Sequence, residues 1–190
     1  MDTTCLVCDT PTSARCSRCK GAYYCSKAHI AQDWPSHKVY CKRVSDAGTN
    51  TFDAILFGVN ETKPRLIKIP WSYGPVDDDE VGLMWQMVEK EPWFTGKDCH
   101  PRHYYIQTFG ANGPSLGYTL VFWFDDNFLS NGSAINRCIE TVTEGNAAHP
   151  WSGNVFALRA RELGSEFYSN AVMEEDLAPL VRYFEDYNRE

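Results

Sequence analysis

The sequence of 190 residues has no long hydrophobic run and no excess of basic residues. No stretch approaches the ~18 uninterrupted apolar residues of a membrane-spanning helix, and the N-terminus lacks the basic-then-apolar order of a signal peptide. Lys and Arg number 18 against 25 Asp and Glu, a formal charge of −7 that disfavours phosphate-rich partners. We therefore expect a soluble protein of the cytoplasm, the nucleus or both, without membrane association and with nucleic acid as a poor partner.

The sequence also lacks short motifs that mark several enzyme classes. It contains no G-x-G-x-x-G, no G-x-x-x-x-G-K-[ST] and no H-E-x-x-H. Dinucleotide binding, P-loop nucleotide binding and zincin-type proteolysis are therefore not expected.

Cysteine is abundant but unevenly distributed. Six of the eight cysteines lie in the first 41 residues, and Cys99 and Cys138 are the remaining two. Residues 1–44 carry seven basic and three acidic side chains, a formal +4, which leaves −11 for residues 45–190. We predict two parts, a small head over residues 1–44 and a larger domain over residues 51–190, joined by a small polar stretch at 44–50.

The head has the spacing of a double zinc site, C-x2-C-x7-C-x2-C-x5-C-x3-H-x7-H-x3-C. A C-x2-C turn aims two thiolates at one metal, and a three-residue gap places two ligands one helical turn apart. Eight ligands make two tetrahedral sets of four, and the spacing alone leaves open how they divide. The predicted ligands are Cys5, Cys8, Cys16, Cys19, Cys25, His29, His37 and Cys41.

Two other uses of these cysteines are possible in principle. A disulfide framework is disfavoured because no signal peptide precedes the head and both histidines would be idle. Redox chemistry is disfavoured because a C-x2-C pair of that kind normally occurs singly, beside a βαβ unit. Zinc is therefore expected to supply much of the folding free energy of a head too small for its own core.

The order of residues from Tyr24-Cys25-Ser26 through Trp34 to His37-Lys38 and Cys41 resembles a MYND-type zinc finger. The resemblance covers about 37 residues and fills all eight ligand positions. It implies two interleaved sites of structural zinc and a role in protein–protein interaction. The implied first site is Cys5, Cys8, Cys25 and His29, and the implied second site is Cys16, Cys19, His37 and Cys41.

The head departs from the usual MYND pattern at two positions. His29 stands where a sixth cysteine is usual, and imidazole remains a competent zinc ligand. Ile30 follows it, where Gln is common and helps to line a groove for short proline-containing peptides. Trp34 matches the second residue of that groove, so it is a candidate for peptide binding, with coverage of the zinc sites as the alternative role.

The remaining sequence predicts an α+β domain, mainly an antiparallel sheet with a few covering helices. Apolar runs bounded by turn residues predict strands, and apolar faces behind Ser133 and around Pro179 predict two helices. The predicted strands are 51–59, 65–71, 104–109, 118–124 and 154–159. The predicted helices are 134–140 after a Ser133 cap, 176–184 with Pro179 in its first turn, and a shorter one at 81–89. Residues 125–139 resemble the uncharacterised C-terminal parts of fungal MYND-finger proteins, which implies no activity.

An alternative is a small enzyme in the C-terminal domain with a site around Cys99, His100 and His103. Pro101 makes this segment a turn that leads into a strand, which favours an incidental cluster. A Cys138–His149 pair is disfavoured because Cys138 lies on the apolar face of its helix. The acidic run at 77–80 lacks the ligand spacing of a calcium loop. Some MYND fingers accompany a SET lysine methyltransferase domain. That class is excluded here because the sequence after the head is too short for the SET fold and lacks the Asn-His-Ser-Cys type motif of its active site.

We therefore predict a non-enzymatic adaptor that uses two structural zinc ions to shape a surface for a protein or a short proline-containing peptide. A nucleic-acid-binding regulator is the second alternative. It would require steep salt dependence of binding, and the head has no base-reading helix of a standard finger spacing.

Overall fold

The computed structural model describes residues 3–75, 82, 84–164 and 167–187. In this part of the chain, the cysteine-rich head is followed by an antiparallel sheet with two further helices, so the predicted α+β class is confirmed. The acidic run at 77–80 lies outside the described residues. No helix in the described part of the chain has the length and apolar character needed to cross a bilayer.

The first helix, α1 (Lys27–Ala47), begins in the head and ends at the sheet domain. Ser26 caps it, because its side chain accepts a hydrogen bond from the His29 N–H at 3.2 Å. The helix continues past the predicted boundary at residue 44 because Val44 is buried on its inner face. Gly48, with φ of 59°, ends it, and the connection to the sheet is shorter than predicted.

Within the described ranges, seven strands form one curled antiparallel sheet in the order β3-β2-β1-β6-β5-β4, with β7 paired to β6. Two hairpins, β1 with β2 and β4 with β5, confirm the predicted strand pairs. The strands are β1 (Thr51–Phe57), β2 (Arg65–Pro75), β3 (Met84–Val88), β4 (Pro101–Thr108), β5 (Ser115–Asp125), β6 (Val155–Ala160) and β7 (Tyr168–Ser169).

The sheet is buried on both faces, which explains why β5 is almost continuously apolar. On one face, Phe57 and Phe122 pack against Phe184 of α3 (Met173–Asp186), and α2 (Arg137–Val142) covers the same core. On the other face, the segment after β3 contributes Phe94 to a second core that includes Phe156. Together the two cores cover both faces of the sheet, and α1 of the head contacts β2.

Three predicted helices differ from the structure. Residues 84–88 form β3, because they pair with Trp71–Pro75 of β2. The cap of α2 is Asn136, not Ser133: it is fully buried, accepts from the Ile139 N–H and donates to the carbonyls of Phe57 and Gly153.

The last helix, α3, starts three residues earlier than predicted, so Pro179 lies in its interior, beyond the first turn. The reason is tertiary. The Asp176 carboxylate accepts from the Val172 N–H at 2.7 Å and forms a bidentate ion pair with Arg159 of β6. This pair, in which Asp176 is fully buried and Arg159 is partly buried, fixes the start of the helix.

Candidate metal centre

Two tight turns in the head have the same construction. In each, the N–H of the residue after the second cysteine bonds the carbonyl of the first cysteine: Asp9 to Cys5 at 2.9 Å, and Lys20 to Cys16 at 3.1 Å. Asp9 and Lys20 both have positive φ, 56° and 59°. This repeated geometry turns both thiol groups of each C-x2-C pair toward the inside of the turn.

The first cluster joins the first turn to the start of α1. Cys25 lies just before the helix, and His29 lies in its first turn, so the imidazole points back toward the thiols. The Nδ1 atom of His29 is 3.4 Å from Cys5 Sγ, 3.6 Å from Cys8 Sγ and 3.1 Å from Cys25 Sγ. The sulfurs of Cys8 and Cys25 are 3.6 Å apart.

The second cluster joins the second turn to the middle of α1. Cys16 and Cys19 come from the turn, and His37 and Cys41 come from successive turns of the helix. The Cys16 and Cys41 sulfurs are 3.7 Å apart, and His37 Nε2 is 3.5 Å from Cys19 Sγ. His37 is buried, and its ring is packed by the rings of Tyr24, Trp34 and Tyr40.

These distances fit tetrahedral zinc. Zn–S and Zn–N bonds of ordinary length predict about 3.8 Å between two sulfur ligands and about 3.6 Å between sulfur and nitrogen. In each cluster all four ligand atoms lie within 4.8 Å of one another. The sets are Cys5, Cys8, Cys25, His29 and Cys16, Cys19, His37, Cys41, so the structure brings the side chains together in the interleaved arrangement.

The backbone of the head stabilises thiolates at the first cysteine of each turn. Burial raises the pKa of Cys5. Hydrogen bonds from the N–H groups of Cys25, Val7 and Cys8 and from the side chain of His29 together outweigh this effect and lower the pKa to about 6. The pKa of Cys16 is likewise about 6, because hydrogen bonds from the Cys19 backbone and His37 outweigh burial. Each turn therefore offers one sulfur already prepared as the anionic form that zinc requires.

Four protein ligands close each site, so no position remains for a water or a substrate. When bound, zinc supplies cross-links between the turns and α1. The apolar cluster around the sites is small: its buried members are Cys5, Cys19, Ala22, Tyr24, Tyr40, Cys41 and Val44. Three of these seven are ligands, so the metal carries much of the stability of the head.

The candidate peptide-binding residue lies on the outer side of α1. Trp34 is 38% exposed and Ile30, one turn earlier, is 39% exposed. The inner edge of the Trp34 ring contacts the ring of His37, with 6.1 Å between centroids. Trp34 therefore covers a zinc ligand and also presents a free apolar surface.

The structure does not assemble Cys99, His100 and His103 into one group. Cys99 lies beside Asp125 and Asn131; burial, followed by the Asp125 carboxylate, raises the pKa of its thiol. His100 contributes its backbone N–H to Asp125 at 2.8 Å. His103 packs between the rings of Tyr105 and Trp123, where burial, followed by the charge of Lys90, lowers its pKa.

The residue at the centre of this region is Asp125, which the sequence motifs do not predict. It is almost fully buried and accepts hydrogen bonds from the N–H groups of His100 and Asn127 and from Asn131 Nδ2. Its position at the end of β5, just before a turn, was the available signal. The arrangement closes the turn after β5 against the start of β4.

Two other sequence features have structural explanations. Cys138 of α2 is fully buried in the core, where burial raises its pKa to about 12. Residues 113–117 match the G-x-S-x-G pattern of hydrolase nucleophiles, but they lie in the β4–β5 hairpin. Ser115 there accepts a hydrogen bond from the Gly117 N–H at 3.2 Å, without the strand-to-helix turn of such sites.

Comparison with known proteins identifies the head. The family model described as MYND finger matches residues 5–41. Ubiquitin carboxyl-terminal hydrolase 19 of Arabidopsis thaliana is 37% identical over 76 residues, 35% of this chain and 11% of the relative. Tudor domain-containing protein 1 of Mus musculus is 47% identical over 45 residues, which are 24% of this chain and 4% of the relative.

A third relative carries the family in its name. Zinc finger MYND domain-containing protein 10 homolog of Drosophila melanogaster is 40% identical over 40 residues, 21% of this chain and 9% of the relative. Across these three relatives the chain covers at most 11% of their length. No solved structure matches the chain.

The matched residues contain both ligand clusters and the first part of α1. MYND fingers are generally protein-interaction modules. Residues 5–41 of this chain are therefore a MYND finger, which binds two zinc ions.

Proposed function

We propose that this chain is an adaptor that holds another protein through the Ile30–Trp34 face of α1, with zinc in a purely structural role. One observation carries the proposal. Two large apolar side chains, 39% and 38% exposed, lie one turn apart on a helix that three zinc ligands, His29, His37 and Cys41, fix in place. Such a surface loses little conformational entropy on binding.

The chemistry of this face suits a short proline-containing peptide. The exposed side of the Trp34 ring is a flat apolar surface on which a proline ring can stack, and proline-rich segments are already extended before they bind. Ile30 offers no hydrogen-bond donor where the usual Gln would. We therefore expect apolar contacts to supply most of the affinity.

We further propose that the C-terminal domain is not an enzyme and that Cys99, His100 and His103 serve its fold. The raised pKa of Cys99 keeps the thiol protonated, and no imidazole adjoins its sulfur among the contacts described. A cytoplasmic or nuclear location is proposed on the basis that none of the eight cysteines forms a disulfide, since such compartments keep cysteines reduced.

The test uses an array of proline-containing peptides probed with the zinc-loaded full chain. Trp34→Ala should abolish capture of the peptides that bind, or weaken it at least about tenfold, because Trp residues dominate binding hot spots. Val39→Ala is the matched control, since Val39 is a 52% exposed apolar residue on another side of α1. Both variants should retain two zinc ions.

A second variant addresses the unusual residue of this face. Ile30→Gln restores an amide beside Trp34 and should strengthen binding of peptides whose backbone carbonyl can accept a hydrogen bond from it. Unchanged capture by a folded, zinc-loaded Trp34→Ala chain would rule out this face as the docking surface.

A further inference from the structure

A cleft of about 620 Å³ lies between the MYND finger and the sheet domain. Its finger side includes Leu6 and Tyr23, and its sheet side is the first half of β2 with the turn before it. Neither Ile30 nor Trp34 lines it. The cleft is therefore a surface separate from the proposed docking face on α1.

The floor of the cleft is a strand edge that lacks a neighbouring strand. β1 pairs with residues 65–70 of β2 on one side, whereas β3 pairs only with Trp71–Pro75 on the other. The Lys68 N–H points away from β1, because it donates to the Tyr40 hydroxyl at 2.9 Å. Outward and inward groups alternate along an antiparallel strand, so the N–H and C=O of Leu66 also point outward, into the cleft.

The finger shields only part of this edge. Gly21 of the second turn lies against Tyr40 and Lys68, and a Cβ added at Gly21 would lie 2.7 Å from the Tyr40 oxygen and 3.7 Å from the Lys68 nitrogen. Leu66, two residues earlier on the same edge, is 40% exposed. In the described part of the chain, the main-chain N–H and C=O of Leu66 therefore have no strand partner. The exposed Leu66 side chain can also contact a ligand in the cleft.

The cleft is positive although the chain as a whole carries −7. Its lining has five basic and three acidic residues. Two ion pairs cancel four of these charges, Lys68 with Asp53 at 2.7 Å and Arg65 with Glu61 at 2.8 Å, which leaves three cations and the carboxylate of Asp9. The exposed side chains of Arg15, Lys20 and Lys63 have no ion pair with any described residue.

We propose that this cleft binds an extended, acidic peptide segment of a partner protein, which adds to β2 as a further strand. One residue of an antiparallel peptide can exchange both main-chain hydrogen bonds with Leu66. Carboxylates on the same peptide face the unpaired cations Arg15, Lys20 and Lys63. A nucleic acid would meet those cations but would leave the alternating N–H and C=O groups of the edge unmatched, and three cations give only weak phosphate binding.

The experiment selects 12-residue peptides from a random phage-displayed library on the zinc-loaded full chain that carries Trp34→Ala, so that the α1 face does not contribute. Enriched peptides should carry net negative charge. A synthetic copy should bind at least about tenfold more weakly to Leu66→Pro, which removes the outward N–H, and to the pair Arg15→Glu and Lys20→Glu.

Leu66→Ala is the matched control, because it keeps the main-chain donor and should retain affinity within about threefold. Amide hydrogen exchange provides a second readout: the Leu66 amide should exchange fast in the free chain and become protected when the peptide binds. This readout decides the matter if Leu66→Pro fails to fold or loses zinc.

Three outcomes would overturn the proposal. These are the absence of enriched peptides, enriched peptides without acidic character, and peptides that bind the folded Leu66→Pro chain as well as the parent chain. Displacement of the selected peptide by single-stranded RNA, with steep salt dependence, would assign the cleft to nucleic acid instead. Because the selection uses the Trp34→Ala chain, its result is independent of the proposed α1 docking face.

Discussion

The hydroxyl of Tyr40 accepts a hydrogen bond from the backbone N–H of Lys68 at 2.9 Å. Tyr40 immediately precedes the zinc ligand Cys41, and Lys68 lies in β2. The ring of Tyr40 also packs edge-on against Trp93, whose ring contributes to the apolar clusters of both finger and sheet. Tyr40, the direct neighbour of a zinc ligand, thus joins the finger to the sheet domain.

Tyr40→Phe should destabilise the chain without loss of metal. The substitution keeps the ring against Trp93 but leaves the Lys68 N–H without its partner, at a cost of about 1–3 kcal/mol in the free energy of unfolding. Urea denaturation measures the change, and metal analysis should still give two zinc ions. Tyr73→Phe is the control, because Tyr73 is 57% exposed. A stability equal to that of the parent would contradict a structural role for this bond.

Removal of zinc should loosen the adjoining edge of the sheet as well as the finger. Without its metal, α1 loses the cross-links that hold Tyr40 and Val44 in place. Hydrogen exchange after chelation should therefore show lost protection at the Lys68 amide. The Val121 amide in β5, an interior strand between β4 and β6, should remain protected, since both faces there are covered by other elements. Retained protection at Lys68 would show that finger and sheet are independent.

Asp125→Asn should lower the free energy of unfolding at pH 7 by about 1–3 kcal/mol, since Asp125 is buried and its oxygens accept several hydrogen bonds. Burial raises the pKa of Asp125, but hydrogen bonds from the His100 N–H, the Asn131 side chain and the Asn127 N–H outweigh this effect. The pKa therefore lies below its usual range.

The pH dependence of this effect follows from the sign of the shift. A carboxyl with a lowered folded pKa stabilises the protein above its unfolded pKa of about 3.9 and loses that contribution as the pH falls below it. The difference between parent and Asp125→Asn should therefore be full at pH 7 and shrink below about pH 4. A difference that grows toward acid pH would contradict the ionised state of Asp125 in the fold.

Cys99 should react slowly with iodoacetamide at pH 7 although it is partly exposed. Burial and the Asp125 carboxylate raise the pKa of the thiol, and only the thiolate reacts. Asp125→Asn removes the charge and should accelerate alkylation of Cys99, while the fully buried Cys138 should remain unmodified in the native chain. Peptide mass spectrometry follows each site. Fast alkylation of Cys99 in the parent would revive a nucleophilic role.

The sequence predicted the features that depend on local spacing. The strand pairs 51–59 with 65–71 and 104–109 with 118–124 appear in the structure as β1–β2 and β4–β5, because alternation and turn residues lie within each hairpin. The presence of two zinc sites is predicted by the ligand spacing together with the resemblance to MYND fingers. The division of ligands between the two sites depends on how α1 lies across both turns, which spacing alone does not determine.

The features that sequence reasoning missed depend on contacts between distant residues. Asn136 replaces Ser133 as a helix cap because it also bonds the carbonyl of Phe57, 79 positions away. Residues 84–88 are a strand because β2 offers them a partner, although their local pattern suggested a helix. The role of Trp93 between finger and sheet likewise required the packed structure.

The most direct test of the interleaved double zinc centre is the metal content of two paired variants by native mass spectrometry. Cys5→Ser with Cys25→Ser alters one cluster only, so this chain should retain one zinc ion. Cys5→Ser with Cys16→Ser alters both clusters, so that chain should retain none. The reverse result, no zinc in the first variant and one ion in the second, would contradict the interleaved arrangement and favour sequential pairing.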